Sequence, residues 1–208
     1  MKRRSLLKAG VAFAVPGVLS FGASAKPVSK AKAPKILVVY FSRPGMNYVS
    51  GDMVNLPVGN TEKFAKIIAK TLDAPLFRIE PVTPYPFDYR KTTAIAREER
   101  SAGKARDAKA IPDIRGYDVI FWGHPIWYGE MPYIVRGVLS KLDCAGKTIV
   151  PFVTHEGSWI GDTANLVRSF QKRAAVREGL GILGTRFARN EPVEPEITAW
   201  LKRLGYQK

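Results

Sequence analysis

The sequence predicts an α/β protein built on a doubly wound, five-stranded parallel sheet. Three observations predict it. Short apolar runs recur along the chain without polar alternation, as in strands buried on both faces. Segments with apolar residues at helical spacing separate these runs. The two kinds of segment alternate through most of the chain, which is the pattern of crossover units in one parallel sheet.

Residues 35–41 (KILVVYF) form the first expected strand. Residues 61–72 form a helix with Phe64, Ile67, Ile68 and Leu72 on one face. Residues 74–80 are the second strand, ended by Pro81 and Pro84, and 88–102 a polar helix. The third strand is 117–123, and a proline opens the helix expected over 132–142. The fourth strand is 147–153. A helix over 162–177 buries Leu166, Val167 and Phe170, and a fifth strand spans 181–187. The last helix, 193–204, carries Glu194 and Glu196 early and Lys202 and Arg203 late, which complements its dipole.

Length and composition narrow the class. With 208 residues, 46% hydrophobic and 25% charged, the chain can bury a full core without staples. Its one cysteine, Cys144, excludes an internal disulfide, and with His124 and His155 it is too few for a His/Cys zinc site. No metal site is expected.

The start of the chain has the three parts of a secretory signal. Lys2, Arg3, Arg4 and Lys8 form a basic start, an uncharged run follows from Ala9, and Ala23-Ser24-Ala25 is a small-x-small end. The uncharged run is broken by Pro16 and Gly17 and is short for a membrane span, which needs roughly 20 apolar residues. An uncleaved anchor is the alternative. Arg3-Arg4 followed by Ser-Leu-Leu-Lys resembles a twin-arginine signal, an address for export of folded proteins. The expected organisation is therefore a signal over 1–25, a Lys/Ala/Pro tether over 26–34 and one domain over 35–208, located in the periplasm, with no transmembrane span in the mature chain.

The net charge is +15, and four of those charges precede Ala25, so the domain itself is basic. Its Lys and Arg residues are scattered, with no aromatic-interleaved basic stripe and no reading motif, so nucleic acid is not expected. Solvated basic helix faces favour anionic partners instead.

In open parallel sheets ligands bind outside the carboxyl ends of the strands. Function is therefore expected in the loops after Phe41, Gly123 and Val153. The first has no G-x-G-x-x-G and no G-x-x-x-x-G-K-[ST], which argues against a dinucleotide or triphosphate site. It holds Ser42 and Arg43, an insertion over 44–58, and then Gly59-Asn60-Thr61 opening a helix. Hydroxyls, an amide and free N–H groups at a helix start can cradle a phosphate; Asn60 or Thr61 serves equally well as an ordinary N-cap.

The second loop is Pro125-Ile126-Trp127-Tyr128-Gly129, whose adjacent rings can wall a planar ligand or pack on a neighbouring helix. The third is Thr154-His155-Glu156-Gly157-Ser158-Trp159, with hydroxyls, a flexible glycine and another ring. A phosphate cradle beside two aromatic loops suits a flat heterocycle bearing one phosphate, which is the description of FMN.

The runs VVYFSR, VGNTE, YDVIFWGHPIWYG and KTIVPFVTHEGS, in that order, resemble the flavodoxin-like FMN-binding family, most of all a branch with a long first loop. The resemblance implies strand order 2-1-3-4-5, non-covalent FMN and electron transfer. It implies that Ser42, Arg43, Asn60 and Thr61 hold the phosphate. It also implies that 125–129 line one side of the ring system and that 154–158 approach its pyrimidine edge.

The flavin does such chemistry and the protein positions it, so no catalytic side chain is expected. The redox partner is a protein or a quinone-like small molecule, as in a quinone reductase. Two other readings are a flavin-binding module without turnover and a serine hydrolase using Ser158 and His155. The hydrolase lacks the G-x-S-x-G elbow.

Overall fold

The computed structural model describes residues 33–206; the expected signal segment and nearly all of the tether lie outside them. In chain order the elements begin with β1 (Ile36–Tyr40), β2 (Gly45–Val49), β3 (Asp52–Leu56), α1 (Asn60–Leu72), β4 (Leu76–Arg78) and α2 (Tyr89–Ala102). They continue with β5 (Val119–Pro125), α3 (Tyr133–Leu139), β6 (Thr148–His155) and α4 (Thr163–Phe170). The last are β7 (Ala175–Val176), β8 (Leu180–Leu183), α5 (Gly184–Ala188) and α6 (Glu194–Arg203).

The main sheet is parallel, in the order β4-β1-β5-β6-β7, with β8 also on β6. Counting β7 and β8 as one position, this is the expected 2-1-3-4-5. Val38 pairs with Leu76 on one side and Phe121 on the other, and Phe121 pairs with Val150. Both faces are covered, so alternate residues of one strand enter different cores. Val38 and Tyr40 join Phe64, Ile68, Phe152 and Trp200 under α1 and α6. Leu37, Val39 and Phe41 join Trp122, Ile134, Val138 and Val167 on the opposite face. Gly123 makes the first core possible, because a Cβ there would lie 2.1 Å from the Phe152 ring. Among the described residues no helix is long and apolar enough to cross a membrane.

The structure adds one element and corrects two expectations. The insertion over 44–58 is a β-hairpin, with Gly45 opposite Leu56 and Val49 opposite Asp52. Ser50 (φ 50°) and Gly51 (φ 105°) turn it with two left-handed residues, the turn whose twist suits a two-residue hairpin.

The helix expected over 162–177 stops at Phe170. Gln171 turns its amide inward instead: Nε2 donates to the Leu139 and Leu142 carbonyls, and Oε1 accepts from the Cys144 N–H. The chain then runs on as β7.

The strand expected over 181–187 divides. Lys147 and Ile149 accept from Ala175 and Arg177, so the same edge of β6 next presents Pro151, which has no N–H to give. The fifth position breaks there, and β8 resumes opposite Phe152. It ends at Leu183 because the Glu156 carboxylate takes the Thr185 N–H (2.7 Å) and hydroxyl (2.6 Å), which starts α5.

Candidate functional site

The carboxyl ends of β1, β5 and β6 open into a cleft of about 250 Å³. It continues into a neighbouring compartment of about 340 Å³ between the second loop and the start of α2. From the first loop it is lined by Ser42, Arg43, Asn60 and Thr61, and from the second by Pro125, Ile126, Trp127, Tyr128 and Gly129. The third loop contributes Thr154, His155, Glu156 and Ser158. Gly157 and Trp159 do not line it. Trp159 is 75% exposed and lies against the His155 ring, 5.9 Å between centroids.

The phosphate-cradle residues converge. Gly59 precedes α1 with no side-chain cap on the helix, and a Cβ at Gly59 would stand 2.3 Å from Ser42 Oγ. Glycine thus lets the first loop close on the helix start. Ser42 Oγ accepts from the Glu62 N–H at 3.1 Å, and the Thr61 and Thr154 hydroxyls meet at 2.7 Å. Asn60 Oδ1 is buried without a partner, an orphan acceptor that a ligand hydroxyl would satisfy. The Glu62 carboxylate in this first turn is held by Lys66 (2.6 Å) and Arg78 (3.2 Å).

Arg43 has a different task from the one expected of a phosphate ligand. Its guanidinium donates to the carbonyls of Pro86 (2.9 Å), Phe87 (3.2 Å) and Met46. Burial lowers its pKa, partly offset by Tyr89 and Asp88. It lines the cleft while clamping the hairpin to the loop before α2.

The second loop is a tight turn in which Trp127 and Glu130 exchange both backbone hydrogen bonds (2.9 and 3.0 Å). Tyr128 (φ 50°) and Gly129 (φ 76°) occupy its left-handed corners. The two rings make different contacts. Trp127 packs edge-on against Phe41 and Tyr85, with centroids 5.5 and 4.9 Å away. Tyr128 is 39% exposed, and its hydroxyl donates to the Thr93 carbonyl at 2.9 Å. Gly161 brings the third loop onto this turn, since a Cβ there would lie 2.8 Å from the Gly129 carbonyl oxygen.

His155 is buried, and its Nδ1 accepts from the Gly157 N–H at 3.0 Å, which leaves the ring proton on Nε2. Desolvation lowers its pKa, against smaller upward pulls from Glu156 and a Gly181 backbone hydrogen bond, so at neutral pH it carries no charge. Its Nδ1 is therefore no base for Ser158, and no hydrogen bond joins them among the described residues. The hydrolase arrangement is not assembled.

Four lining residues come from outside the expected set: Asn47, Tyr48, Tyr89 and Gly184. Burial and then the Tyr128 and Tyr48 phenols raise the Tyr89 pKa, so three phenols face one space. The Asp88 N-cap, which accepts from the Lys91 N–H at 2.8 Å, is the sequence signal that puts Tyr89 at a helix start.

The flavodoxin family Flavodoxin_4 matches residues 35–204, nearly all of the described chain. The chain belongs to this flavodoxin family. Among solved structures it is similar to a protein of Bacteroides eggerthii assigned provisionally as a flavoprotein. The two share 27% identity with a TM-score of 0.64, over 83% of this chain and 98% of that one. A Bacteroides uniformis protein with the same provisional assignment is 23% identical, TM-score 0.63, over 82% and 99%. A Lactobacillus acidophilus flavoprotein solved in complex with FMN shares the fold at 20% identity, TM-score 0.52, over 72% and 93%. No curated relative matches the sequence. The flavodoxin fold is thus common to all three structures and to this chain.

Proposed function

We propose that this flavodoxin-family protein binds FMN non-covalently in the cleft and transfers electrons, outside the cytoplasm, to a quinone-like acceptor or a redox protein. The observation that carries the reading is the convergence of a helix start whose N-cap, Gly59, brings no side chain of its own, the orphan Asn60 amide oxygen and two aromatic loops at one sheet edge. The residues fit the group. The first N–H groups of α1, with the Thr61 hydroxyl, suit a phosphate, and the helix dipole favours its charge. Asn60 and Thr154 suit a polyhydroxyl chain. Trp127, Tyr128 and Ile126 suit a planar ring.

When bound, FMN supplies reversible one- and two-electron chemistry. The chain's residues bind and orient. Glu62 stays neutralised by Lys66 and Arg78 and does not repel the phosphate. His155 has its ring held by the Gly157 and Gly181 backbones and adds no charge. The phenols of Tyr89 and Tyr128 border the adjoining compartment, which is open for an acceptor.

Export rests on the residues before Ala25, and the basic domain favours an anionic partner. The test is an absorbance spectrum of the purified protein, followed by reduction and mixing with a soluble quinone. Flavin bands and rapid reoxidation by the quinone are expected. Flavin bands without quinone-dependent reoxidation would indicate a carrier that serves another partner, and absence of flavin binding would overturn the reading.

A further inference from the structure

Beside the cleft lies a cavity of about 460 Å³, larger than either compartment of the cleft and within the usual range for small-molecule sites. It sits between the β2–β3 hairpin and the loop joining β4 to α2. Its deep wall is apolar: Phe41, Ile79, Leu56 and Tyr85 are each less than a tenth exposed. Pro44, Pro57, Pro81 and Pro84 form much of the remainder, and fixed proline φ angles hold that wall stiff. At the opening Phe87 lies 60% exposed, a large apolar side chain in water at the edge of an apolar hole.

The frame is bolted open. Arg43 ties the hairpin to the loop through the Met46, Pro86 and Phe87 carbonyls, and the Met46 N–H donates to Phe87 O at 2.9 Å. Collapse of the hairpin onto Ile79 would break these bonds. The cavity and the cleft share only Ser42 and Arg43. Both of those side chains are already hydrogen-bonded to main chain, so the wall between the two spaces is closed.

The rim carries Arg78, Lys109 and one carboxylate, Glu80. Lys109 pairs with Glu80 at 3.0 Å, but both side chains are about half exposed, and such pairs hold little energy. Arg78 shares Glu62 with Lys66, so it can leave without stranding that carboxylate. Two cations are thus available to an anion whose apolar part occupies the cavity.

We propose that this cavity is a second ligand site, separate from the flavin cleft, for a flat apolar molecule bearing a single carboxylate. A two-ring body fits within such a space, with the carboxylate at the rim between Lys109 and Arg78.

The test titrates 2-naphthoate into the full chain by calorimetry, with and without saturating FMN. One site is expected, with the same affinity in both states. Leu56→Trp fills the cavity from its wall and weakens binding about tenfold or more. Lys109→Glu weakens 2-naphthoate about threefold or more and leaves the uncharged 2-naphthylmethanol unchanged.

No saturable binding overturns the proposal, as does displacement of 2-naphthoate by FMN, which would put it in the cleft. Parent-like binding by Leu56→Trp also overturns it. If that variant does not fold, Phe87→Glu, on an exposed side chain, decides: a loss of affinity supports the site and an unchanged one sinks it. Because the FMN-free protein is titrated as well, failure to bind flavin leaves this outcome readable.

Discussion

The Thr61 and Thr154 hydroxyls form a buried pair, 2.7 Å apart, that joins the first turn of α1 to the end of β6. Both side chains are less than a tenth exposed although they line the cleft, and each hydroxyl satisfies the other. Losing one leaves the other desolvated and unpaired, which costs about 1–3 kcal/mol, whereas replacing both with an apolar shape is close to neutral.

Thr61→Val should therefore lower unfolding free energy by about 1–3 kcal/mol in urea titrations, and Thr61→Val/Thr154→Val should regain most of it. The same variants locate the phosphate. Thr61→Val should weaken FMN relative to riboflavin by about 1.5–3 kcal/mol, the range for a hydrogen bond to a charged group, and Thr154→Val should change that ratio little. Equal losses for both ligands would remove Thr61 from the phosphate site.

His124 makes stability depend on pH. It is fully buried, its Nδ1 lies 3.0 Å from the Pro125 carbonyl oxygen, and its Nε2 has no partner. Desolvation, with a smaller push from Arg136, takes its pKa from the ordinary 6.5 down to about 4. The folded value is depressed, so between those limits the unfolded chain binds the proton and the folded chain does not. Stability is full above about pH 6.5 and falls as pH drops toward 4, by about 3 kcal/mol from this residue. Unfolding free energies of wild type and His124→Leu, from urea titrations between pH 7.5 and 4, should differ in their pH dependence by that amount, with wild type losing more toward acid. His155, also lowered, adds slope to both curves and cancels in the difference. Parallel curves would show that His124 is not held neutral.

Much of the fold is legible in the sequence because both faces of the sheet are buried. An unbroken apolar run as short as KILVVYF fits a doubly covered strand and little else, and the strand-end rule then selects the three loops. The features that escape a sequence reading depend on single side chains acting across the fold. Gln171 ends α4 and Glu156 starts α5, each by hydrogen bonds to residues about thirty positions away, which spacing cannot reveal. The hairpin has a local signal, Ser50-Gly51 between Tyr48 and Met53, but its mostly exposed β3 lacks the apolar run that marks a core strand. Tyr89 and Gly184 enter the cleft from elements outside the three loops, and Tyr48 from the hairpin inserted in the first. Arg43 is legible in the sequence as a cation at the cleft, whereas its carbonyl partners at Met46, Pro86 and Phe87 are not.

The proposed export rests on residues outside the described chain, and a variant tests it directly. If Arg3-Arg4 is a twin-arginine address, Arg3→Lys/Arg4→Lys should accumulate a longer precursor in the cytoplasm. Fractionation and mass of the purified chain read the outcome. A mature-length periplasmic product from that variant would require another route.

The two aromatics of the second loop separate packing from ligand binding. Trp127 belongs to both: it lines the cleft, yet its ring meets Phe41 and Tyr85 edge-on. Trp127→Ala should cost about 3–5 kcal/mol of stability, the range for removing a packed large aromatic, so it is a poor probe of binding. Trp127→Phe keeps most of the packing and removes the indole, the better electron donor to an excited flavin. It should leave the fold intact and raise the fluorescence of bound FMN. Tyr128 is anchored by a hydrogen bond to Thr93, has the Arg97 guanidinium 5.8 Å from its ring centroid, and lines the cleft. Tyr128→Ala should spare stability and loosen FMN by about 0.5–1.5 kcal/mol, the gain of a ring stack beyond area burial. Trp159→Ala should do neither, because that ring lies on His155 outside the cleft lining. FMN titrations followed by flavin emission measure all three. If Trp127→Phe and Tyr128→Ala both match wild type in affinity and quenching, the rings are packing residues and the flavin lies elsewhere.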